Sequence, residues 1–301
     1  MILAVTGGTG FVGARLLDAA TAGGHQVRAL TRKPRRARVG VTWVPGSMEE
    51  AAALEQLVEG ADAVIHVAGV ISGRTAADFD TCNVDGTATL LEVARKAGIS
   101  KFVHVSSLAA REPRLSLYGA SKAKSEELVK ASGLAFAIVR PPAVYGPGDR
   151  ETLDLFRMAK RRLVLMPPNG RLSLIHADDL CRLLLALAEP HAPAGLLIEP
   201  DDGNAGGWTH REFALALGEA VGTRPLVVHV PAGVLKAAAA ADQAARGAKA
   251  KLTADRAAYF AHPDWVVDSS RAAPAALWQP NIRAPEGLKS TVEWYRQQGW
   301  L

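Results

Sequence analysis

Residues 1–13 read MILAVTGGTGFVG, a short apolar strand that runs directly into glycines spaced as G-x-x-G-x-x-G. Gly7 permits a tight turn, Gly10 places no Cβ where phosphates would approach, and Gly13 lets a helix pack closely against the strand. We expect that helix over residues 14–22, with its free N–H groups and positive dipole end facing an anion. A turn of this kind after a first strand and before a first helix predicts a dinucleotide site.

Strands and helices alternate after this turn. We expect strands at residues 25–30, 42–44, 63–67, 101–105 and 135–140, and helices at residues 49–59, 79–97 and 118–132. Buried apolar strands that alternate with amphipathic helices predict an α/β fold, a Rossmann-type doubly wound parallel sheet with helices on both faces.

The regular alternation ends at Pro141, and this change suggests a second part of the chain. We expect an NAD(P)-binding Rossmann domain over residues 1–165 with returning segments at about 172–200. A smaller, mostly helical substrate-binding lobe is expected over residues 200–301. For its alanine-rich segment, residues 232–250, ordinary packing or a subunit contact is favoured over a position on a membrane.

Composition and charge exclude several classes of protein. The 301 residues, 49% of them hydrophobic, predict a globular chain, and no apolar run is long enough for a membrane span. The first apolar run has no basic region before it, so we expect no signal peptide and a cytoplasmic location. Cys82 and Cys181 lie in apolar, helix-like segments, which predicts buried free thiols with no disulfide and no metal site.

The net charge of +5 is concentrated in two basic clusters at residues 32–38 and 160–162. Nucleic acid is one class of partner for such clusters. The first has no interleaved aromatic residues, and no nucleic-acid motif accompanies either cluster. We therefore expect no nucleic-acid partner.

A second group of residues suggests catalysis. The expected strand at 101–105 ends in Ser106 and Ser107, and eleven residues after Ser107 comes Tyr118, with Lys122 four positions further. The i, i+4 spacing puts Tyr118 and Lys122 on one helix face, where an ammonium favours phenolate and lowers the pKa of the phenol. Such a tyrosine can act as a general acid or base, and the Ser107 hydroxyl can polarise a substrate oxygen.

Several motifs occur together in one order along the chain: TGGTGFVG, AVIHVAG, CNVDGT, FVHVSS, YGASK, RPPAVYGPGD and LIHADDL. Over about the first 190 residues the chain thereby resembles the NAD(P)-dependent epimerase/dehydratase-like branch of the extended short-chain dehydrogenase/reductase superfamily. The resemblance implies that Tyr118 is the catalytic acid/base, that Lys122 lowers its pKa and binds the nicotinamide ribose, and that Ser107 polarises the substrate. It also implies that Asn83 orders the wall beside the cofactor. The expected cofactor-binding residues are Gly7, Thr9, Gly10, Phe11, Val12, Arg32, Ala68, Gly69, Lys122, Pro141 and Val144.

The end of the second strand bears on the choice of cofactor. An acidic residue there would accept hydrogen bonds from the adenosine ribose and imply NAD. This chain has Leu30-Thr31-Arg32-Lys33 instead, and a guanidinium suits a 2′-phosphate. We therefore favour NADP(H) over NAD(H) as the cofactor.

Two features bear on the substrate. Nucleotide-sugar members of the family carry an arginine where this chain has Leu172, with Arg171 one residue early, and residues 163–168 are apolar. Both features favour a small-molecule substrate with an apolar body, as in hydroxysteroid-dehydrogenase-like and flavonoid-reductase-like members.

The leading hypothesis is an NADP(H)-dependent oxidoreductase that acts on a secondary alcohol or ketone. A nucleotide-sugar epimerase or dehydratase that recycles its cofactor, and a redox-inactive NADP(H)-binding structural or sensor protein, remain alternatives. The sequence leaves open the substrate's identity and whether the chain forms a homodimer.

Overall fold

The computed structural model describes residues 1–168, 170–247 and 253–301, and these divide into two compact units. The first unit comprises Met1–Pro141, Leu180–Pro200 and Arg271–Gln279. The second comprises Pro142–Asp179, Asp201–Ser270 and Pro280–Leu301. The end of the alanine-rich segment, residues 248–250, lies outside the described residues.

Strands and helices alternate along most of the chain. The strands are β1 (Ile2–Thr6), β2 (Gln26–Thr31), β3 (Val41–Pro45), β4 (Ala63–His66), β5 (Lys101–Val105), β6 (Phe136–Val139), β7 (Ala143–Tyr145), β8 (Leu163–Met166), β9 (Arg171–Leu172), β10 (Leu174–His176), β11 (Leu196–Ile198), β12 (Trp208–Thr209), β13 (Leu226–His229) and β14 (Asp264–Trp265). The α-helices are α1 (Phe11–Ala22), α2 (Ala51–Val58), α3 (Ala76–Asp80), α4 (Gly86–Lys96), α5 (Leu117–Ala131), α6 (Leu153–Lys160), α7 (Ala177–Ala188), α8 (His210–Val221), α9 (Ala232–Arg246), α10 (Ala254–Ala261) and α11 (Ala284–Gln297).

The first unit is built on a seven-stranded parallel sheet with the order β11-β6-β5-β4-β1-β2-β3. All five residues of β5 are buried, which is typical of a strand covered on both faces. The chain leaves β1 towards β2 and β3 and later returns to place β4 on the other side of β1. This reversal of strand order at β1 is where doubly wound folds bind their ligands, and the predicted Rossmann-type fold is confirmed.

The helix predicted over residues 79–97 differs from the one observed. Helical structure begins at Ala76 and reaches Lys96, and a π-helical turn, Thr81–Asp85, separates α3 from α4. A capping box at Thr75, whose side chain accepts a hydrogen bond from the Asp78 amide, explains the earlier start. The π-helical turn adds a residue to the helix, which periodicity alone does not reveal, and such turns are frequent at functional sites.

The second unit has its own core, formed largely by α6, α8 and α11. Its strands are two to four residues long and form small sheets, in which β7 pairs with β10, β8 with β13, and β9 with β12 and β14. The part after residue 200 is expected from its sequence to be mostly helical, but it also contains β12, β13 and β14. These strands are too short to show a clear periodicity in the sequence. Among the described residues, no helix combines the length and apolar character needed to cross a membrane.

Candidate active site

The glycine turn after β1 has the geometry that its spacing predicts. Gly7 has a φ of +72°, and its carbonyl accepts a hydrogen bond of 3.0 Å from the Gly10 amide. A Cβ at Gly13 would lie 2.0 Å from that carbonyl oxygen, whereas a Cβ at Gly10 would meet only the same oxygen, at 3.4 Å. The turn is therefore closed on the helix side and open at Gly10, which suits the close approach of a pyrophosphate.

Helix α1 begins at Phe11, three residues earlier than expected, with Gly10 as its N-cap. No described side chain caps this end, and the first turn carries no acidic residue. The half-buried Phe11 and Val12 thus begin a helix whose first amides are available to an anion, and Thr9 is exposed in the turn before them.

A buried chain of hydrogen bonds links β1, β4 and the helix after it. The Thr87 hydroxyl donates to the Asn83 carbonyl (2.8 Å), so it accepts from Nε2 of His66 (2.9 Å). Nδ1 of His66 then accepts from the Thr6 hydroxyl (2.6 Å), whose oxygen accepts from the Ala68 amide (3.2 Å). Burial lowers the pKa of His66 to about 3, with the Lys122 charge as the smaller cause, so this histidine stays neutral and the direction of the chain is fixed.

Asn83, in the π-helical turn, holds the loop after β4. Its Oδ1 accepts from the Val70 amide (2.7 Å), and its Nδ2 donates to the Val70 carbonyl (3.0 Å) and to the Ser121 hydroxyl (2.9 Å). A Cβ at Gly69 would lie 3.3 Å from Oδ1 of Asn83 and 3.9 Å from Nζ of Lys122. The absence of a side chain at Gly69 therefore relieves a tight contact with Asn83 where the loop passes the π-helical turn.

Ser107 and Tyr118 lie together at the end of β5 and the start of α5. Helix α5 is capped by Ser116, whose side chain accepts from the Gly119 amide (2.9 Å), and this cap sets Tyr118 in the first turn. The Ser107 hydroxyl lies close enough to the Tyr118 phenol to lower its pKa by hydrogen bonding. The half-buried Tyr118 ring also lies beside Phe79, with ring centroids 6.3 Å apart.

Lys122 is buried one helical turn after Tyr118. Its Nζ donates at 2.8 Å to the carbonyl of Val105, the last residue of β5. Burial lowers the pKa of Lys122 to about 8, against the opposing effect of the Glu126 charge. A cation that titrates near neutrality is thus held at the carboxyl end of the central strands.

One electrostatic expectation is wrong in this structure. The i, i+4 spacing predicts that Lys122 lowers the pKa of Tyr118. Burial instead raises the pKa of Tyr118, and only the Ser107 hydrogen bond acts to lower it. The physical reason is that the Lys122 ammonium is directed at the Val105 carbonyl while the phenol loses water contacts, so Tyr118 is a protonated phenol at neutral pH.

Helix α5 is fixed to the sheet by buried charges. Arg140, after β6, donates from Nε and Nη2 to the two oxygens of Glu126 (2.8 and 2.7 Å) and from Nη1 to Glu199 (3.2 Å). The Ser106 hydroxyl donates to Glu126 as well, at 2.5 Å. Because Glu126 is four residues after Lys122, this cluster fixes the orientation of the helix that carries Tyr118 and Lys122.

Arg32 lies directly after β2, at the same edge of the sheet as the glycine turn, since β1 and β2 are parallel neighbours. The Thr31 hydroxyl donates to the Lys33 carbonyl at 2.7 Å and fixes the chain around it. Arg32 is exposed and makes no ion pair within the described residues, whereas Arg38 of the same basic cluster pairs with Asp18.

The remaining residues singled out from the sequence have clear positions. The Pro141 carbonyl accepts a hydrogen bond from the Leu108 amide (3.0 Å), next to Ser107. Val144 belongs to the second unit, where it is half-buried in β7 opposite Ile175. Cys181 is buried and Cys82 half-buried, and both are free thiols, so Cys82 is less enclosed than expected. Among the described residues, no group of His, Cys, Asp and Glu side chains could hold a metal ion.

The supporting partners of the site are residues that sequence reasoning misses. Val105 binds Lys122 through its backbone carbonyl, which no residue pattern reveals, and Glu126 and Arg140 look like ordinary surface charges in the sequence. A histidine within the apolar strand AVIHV is a signal that points to His66, because a buried imidazole needs hydrogen-bond partners.

Comparison with known proteins identifies the family. The model of the NAD dependent epimerase/dehydratase family matches residues 3–196. The chain is 38% identical to a ceramide reductase of Caulobacter vibrioides, over all of this chain and 96% of that protein. It is 34% identical to the 4-hydroxy-2-methyl-3-oxo-4-farnesyl-3,4-dihydroquinoline-1-oxide ketoreductase of Stigmatella aurantiaca, over 78% of each chain.

Solved structures show the same fold. The structure of gox2253 superposes with a TM-score of 0.81 at 21% identity, over 100% of this chain and 99% of that one. The Bordetella bronchiseptica enzyme WbmG, in complex with NAD and UDP, superposes with a TM-score of 0.76 at 18% identity, over 99% and 96% of the two chains. The chain therefore belongs to the NAD-dependent epimerase/dehydratase family of the extended short-chain dehydrogenase/reductase superfamily and is an NAD(P)-dependent enzyme.

Proposed function

We propose that this enzyme is an NADP(H)-dependent reductase that converts a ketone with an apolar body into a secondary alcohol, with Tyr118 as the proton donor. The observation that carries this proposal is the placement of Ser107 beside Tyr118, together with the burial that raises the pKa of Tyr118. A phenol that keeps its proton at neutral pH is suited to donate it, which favours reduction over oxidation.

The two hydroxyl groups act on the same substrate atom. Because Ser107 lies beside the Tyr118 phenol, a carbonyl oxygen placed between the two hydroxyls would accept a hydrogen bond from each. Ser107 polarises the carbonyl, and Tyr118 donates its proton as negative charge develops on the oxygen. Bound NADPH would supply the hydride for this reaction.

Lys122 and the glycine turn hold the cofactor in this proposal. Lys122 lies against Gly69 and presents an ammonium at the carboxyl end of the strands, where it would bind the nicotinamide ribose. The uncapped first turn of α1 and the open side of Gly10 would take the pyrophosphate, with Thr9, Phe11 and Val12 beside it. Ala68 and Gly69 would pass along the cofactor, and Pro141 would line the nicotinamide.

Arg32 supports the preference for NADP(H). Its guanidinium follows β2, where an NAD enzyme would carry a carboxylate, and it makes no ion pair within the described residues. A charge-assisted contact with a 2′-phosphate would give it a partner.

The proposed substrate class rests on two relatives and on the contacts of Arg171. Two of the relatives, which cover 100% and 78% of this chain, are named for a ceramide and for a farnesyl-bearing dihydroquinoline oxide, and both names describe molecules with large apolar groups. Arg171 donates to the carbonyls of Gly206 (2.6 Å) and Gly207 (3.0 Å). An arginine engaged in this way is poorly placed to bind a sugar-nucleotide diphosphate.

Substitution of Tyr118 by Phe tests the catalytic assignment. We expect Tyr118→Phe to lower kcat for ketone reduction by about 10²- to 10⁴-fold, because the proton donor is lost, with little change in NADPH affinity. Tyr259→Phe is the matched control, because Tyr259 stacks on Trp265 in the second unit, and its rate should not change. A Tyr118→Phe enzyme with the wild-type rate would refute the role of Tyr118 as proton donor.

A further inference from the structure

The β8–β13 pair in the second unit presents an exposed apolar face. Leu163 and Leu165 of β8 are 43% and 46% exposed, and Leu226 and Val228 of β13 are 67% and 39% exposed. Leu226 pairs with Leu163, and Val228 pairs with Leu165. The four side chains are therefore neighbours on one side of a two-stranded sheet.

Exposed and buried side chains alternate along β8, so the exposed apolar residues all lie on one face of the strand. Val164 and Met166, which point to the opposite side of β8, are 0% and 4% exposed and belong to the core of the second unit. A β-strand whose inner face is packed normally carries polar residues on its outer face. A contiguous group of exposed aliphatic side chains in that place marks an interaction surface.

The two strands and the residues that flank them in the chain carry charge of a single sign. Residues 155–177 and 220–241, which include β8 and β13, contain no aspartate or glutamate. The exposed basic residues next to the two strands are Lys160, Arg161, Arg162 and Arg224. In the part of the chain that the structure describes, none of these four forms an ion pair, so their charges are available to a partner.

We propose that this apolar face, with its basic rim, docks on the surface of an anionic lipid bilayer. Aliphatic side chains beside exposed lysine and arginine are the combination by which proteins bind a lipid interface without crossing it, since the apolar groups enter the headgroup region while the cations pair with anionic headgroups. This binding depends on the β8–β13 surface alone and not on the reductase chemistry proposed above.

A second copy of this chain fits the same surface less well. A symmetric dimer through this face would place each basic rim against itself, because a two-fold interface uses the same patch on both subunits. The like charges would repel in the absence of acidic partners on either strand. An anionic bilayer supplies the opposite charge.

Vesicle binding tests the proposal with the full-length protein. Vesicles of equimolar phosphatidylglycerol and phosphatidylcholine should bind the protein in flotation, vesicles of phosphatidylcholine alone should bind far less, and high salt should release it. The double substitution Leu165→Thr with Leu226→Thr should weaken binding about tenfold, since it removes exposed apolar area. The double substitution Arg161→Gln with Arg224→Gln should weaken vesicle binding about 25-fold, because the loss of each charge should weaken it about fivefold.

Matched controls separate this face from general surface effects. Val39→Thr removes a fully exposed apolar side chain elsewhere, and Arg95→Gln removes an exposed charge on α4; both should leave binding unchanged. All variants should retain the far-ultraviolet circular dichroism of the folded protein. Equal vesicle binding by the wild type and both face variants would overturn the proposal. The proposal would also be overturned if the wild type did not bind the vesicles. It would be overturned as well if light scattering showed a dimer for the wild type and a monomer for the face variants.

Discussion

Tyr118 and Lys122 share one face of α5 but titrate under different influences. Burial acts on both, raising the pKa of the phenol and lowering that of the ammonium to about 8. The Ser107 hydrogen bond opposes the first shift, and the Glu126 charge opposes the second. At neutral pH the site therefore holds a protonated phenol beside a cation, which is the state that a ketone reductase requires before hydride transfer.

The low pKa of Lys122 predicts how reduction depends on pH. The ammonium predominates below about pH 8 and is lost as the pH rises through that value. We expect kcat/KM for ketone reduction to fall by about tenfold per pH unit above this pKa, since the neutral amine binds the ribose less well. The profile is measured with NADPH from neutral to alkaline pH.

Two conservative variants identify the titrating group. Lys122→Arg should move the alkaline limb of the profile, the fall in kcat/KM above about pH 8, to higher pH, because a guanidinium keeps its charge there. Lys124→Arg, on the same helix but paired with Asp80 on the surface, should leave the limb in place. If the limb stays near pH 8 in the Lys122→Arg enzyme, Lys122 is not the group responsible.

The position of Arg32 leads to a separate prediction about the choice of cofactor. Arg32→Ala should weaken NADPH binding by about 10- to 100-fold and leave NADH binding nearly unchanged, because a charged hydrogen bond to the 2′-phosphate is lost. Fluorescence titration with both cofactors measures the ratio. Arg38→Ala is the control from the same basic cluster, because Arg38 pairs with Asp18, and it should keep the wild-type ratio. An unchanged ratio in Arg32→Ala would contradict the preference assigned to Arg32.

At the scale of secondary-structure elements, α5 is positioned by the buried ion pairs that Arg140 forms with Glu126 and Glu199. Arg140→Met would deprive the buried carboxylate of Glu126 of the Arg140 guanidinium and would remove one of the ion pairs of Glu199, and we expect a loss of about 3–5 kcal/mol in the free energy of unfolding. Denaturant unfolding measures this loss. The control Arg157→Met removes an exposed pair with Asp154 and should cost no more than about 1 kcal/mol.

A second variant distinguishes buried charge from lost packing. Adding Glu126→Gln to Arg140→Met should recover part of the stability, because the buried carboxylate that faced Arg140 is removed. Equal stability losses for Arg140→Met and Arg157→Met would show that the buried cluster does not hold the helix.

Elements with a strong local signal are predictable from the sequence, whereas those that depend on distant contacts are not. The glycine turn, the parallel sheet and the joint placement of Ser107, Tyr118 and Lys122 follow from strand order and i, i+4 spacing. The direction of the Tyr118 pKa does not follow, because burial, a property of the folded unit, outweighs the neighbouring lysine. The apolar run at residues 163–168 suggests a substrate contact in the sequence, whereas in the fold Leu163–Met166 alternate between an exposed face and the core.

At the scale of the whole molecule, family membership leaves two kinds of activity to separate. A reductase consumes cofactor, whereas an epimerase or dehydratase recycles it. The intact trio of Ser107, Tyr118 and Lys122 favours catalysis, and the protonated Tyr118 favours reduction. The substrate class proposed from the relatives then determines which ketones to use.

Net oxidation of NADPH by the wild-type protein, followed by the near-ultraviolet absorbance of the reduced nicotinamide, tests the proposed reductase activity most directly. The substrates are ketones with long apolar bodies, such as long-chain 3-keto lipids, and the product alcohol is quantified in parallel. We predict a loss of absorbance that matches the alcohol formed, one molecule for one. Turnover of a nucleotide sugar with no net change in absorbance, or no oxidation of NADPH with any apolar ketone, would contradict the assignment as a reductase.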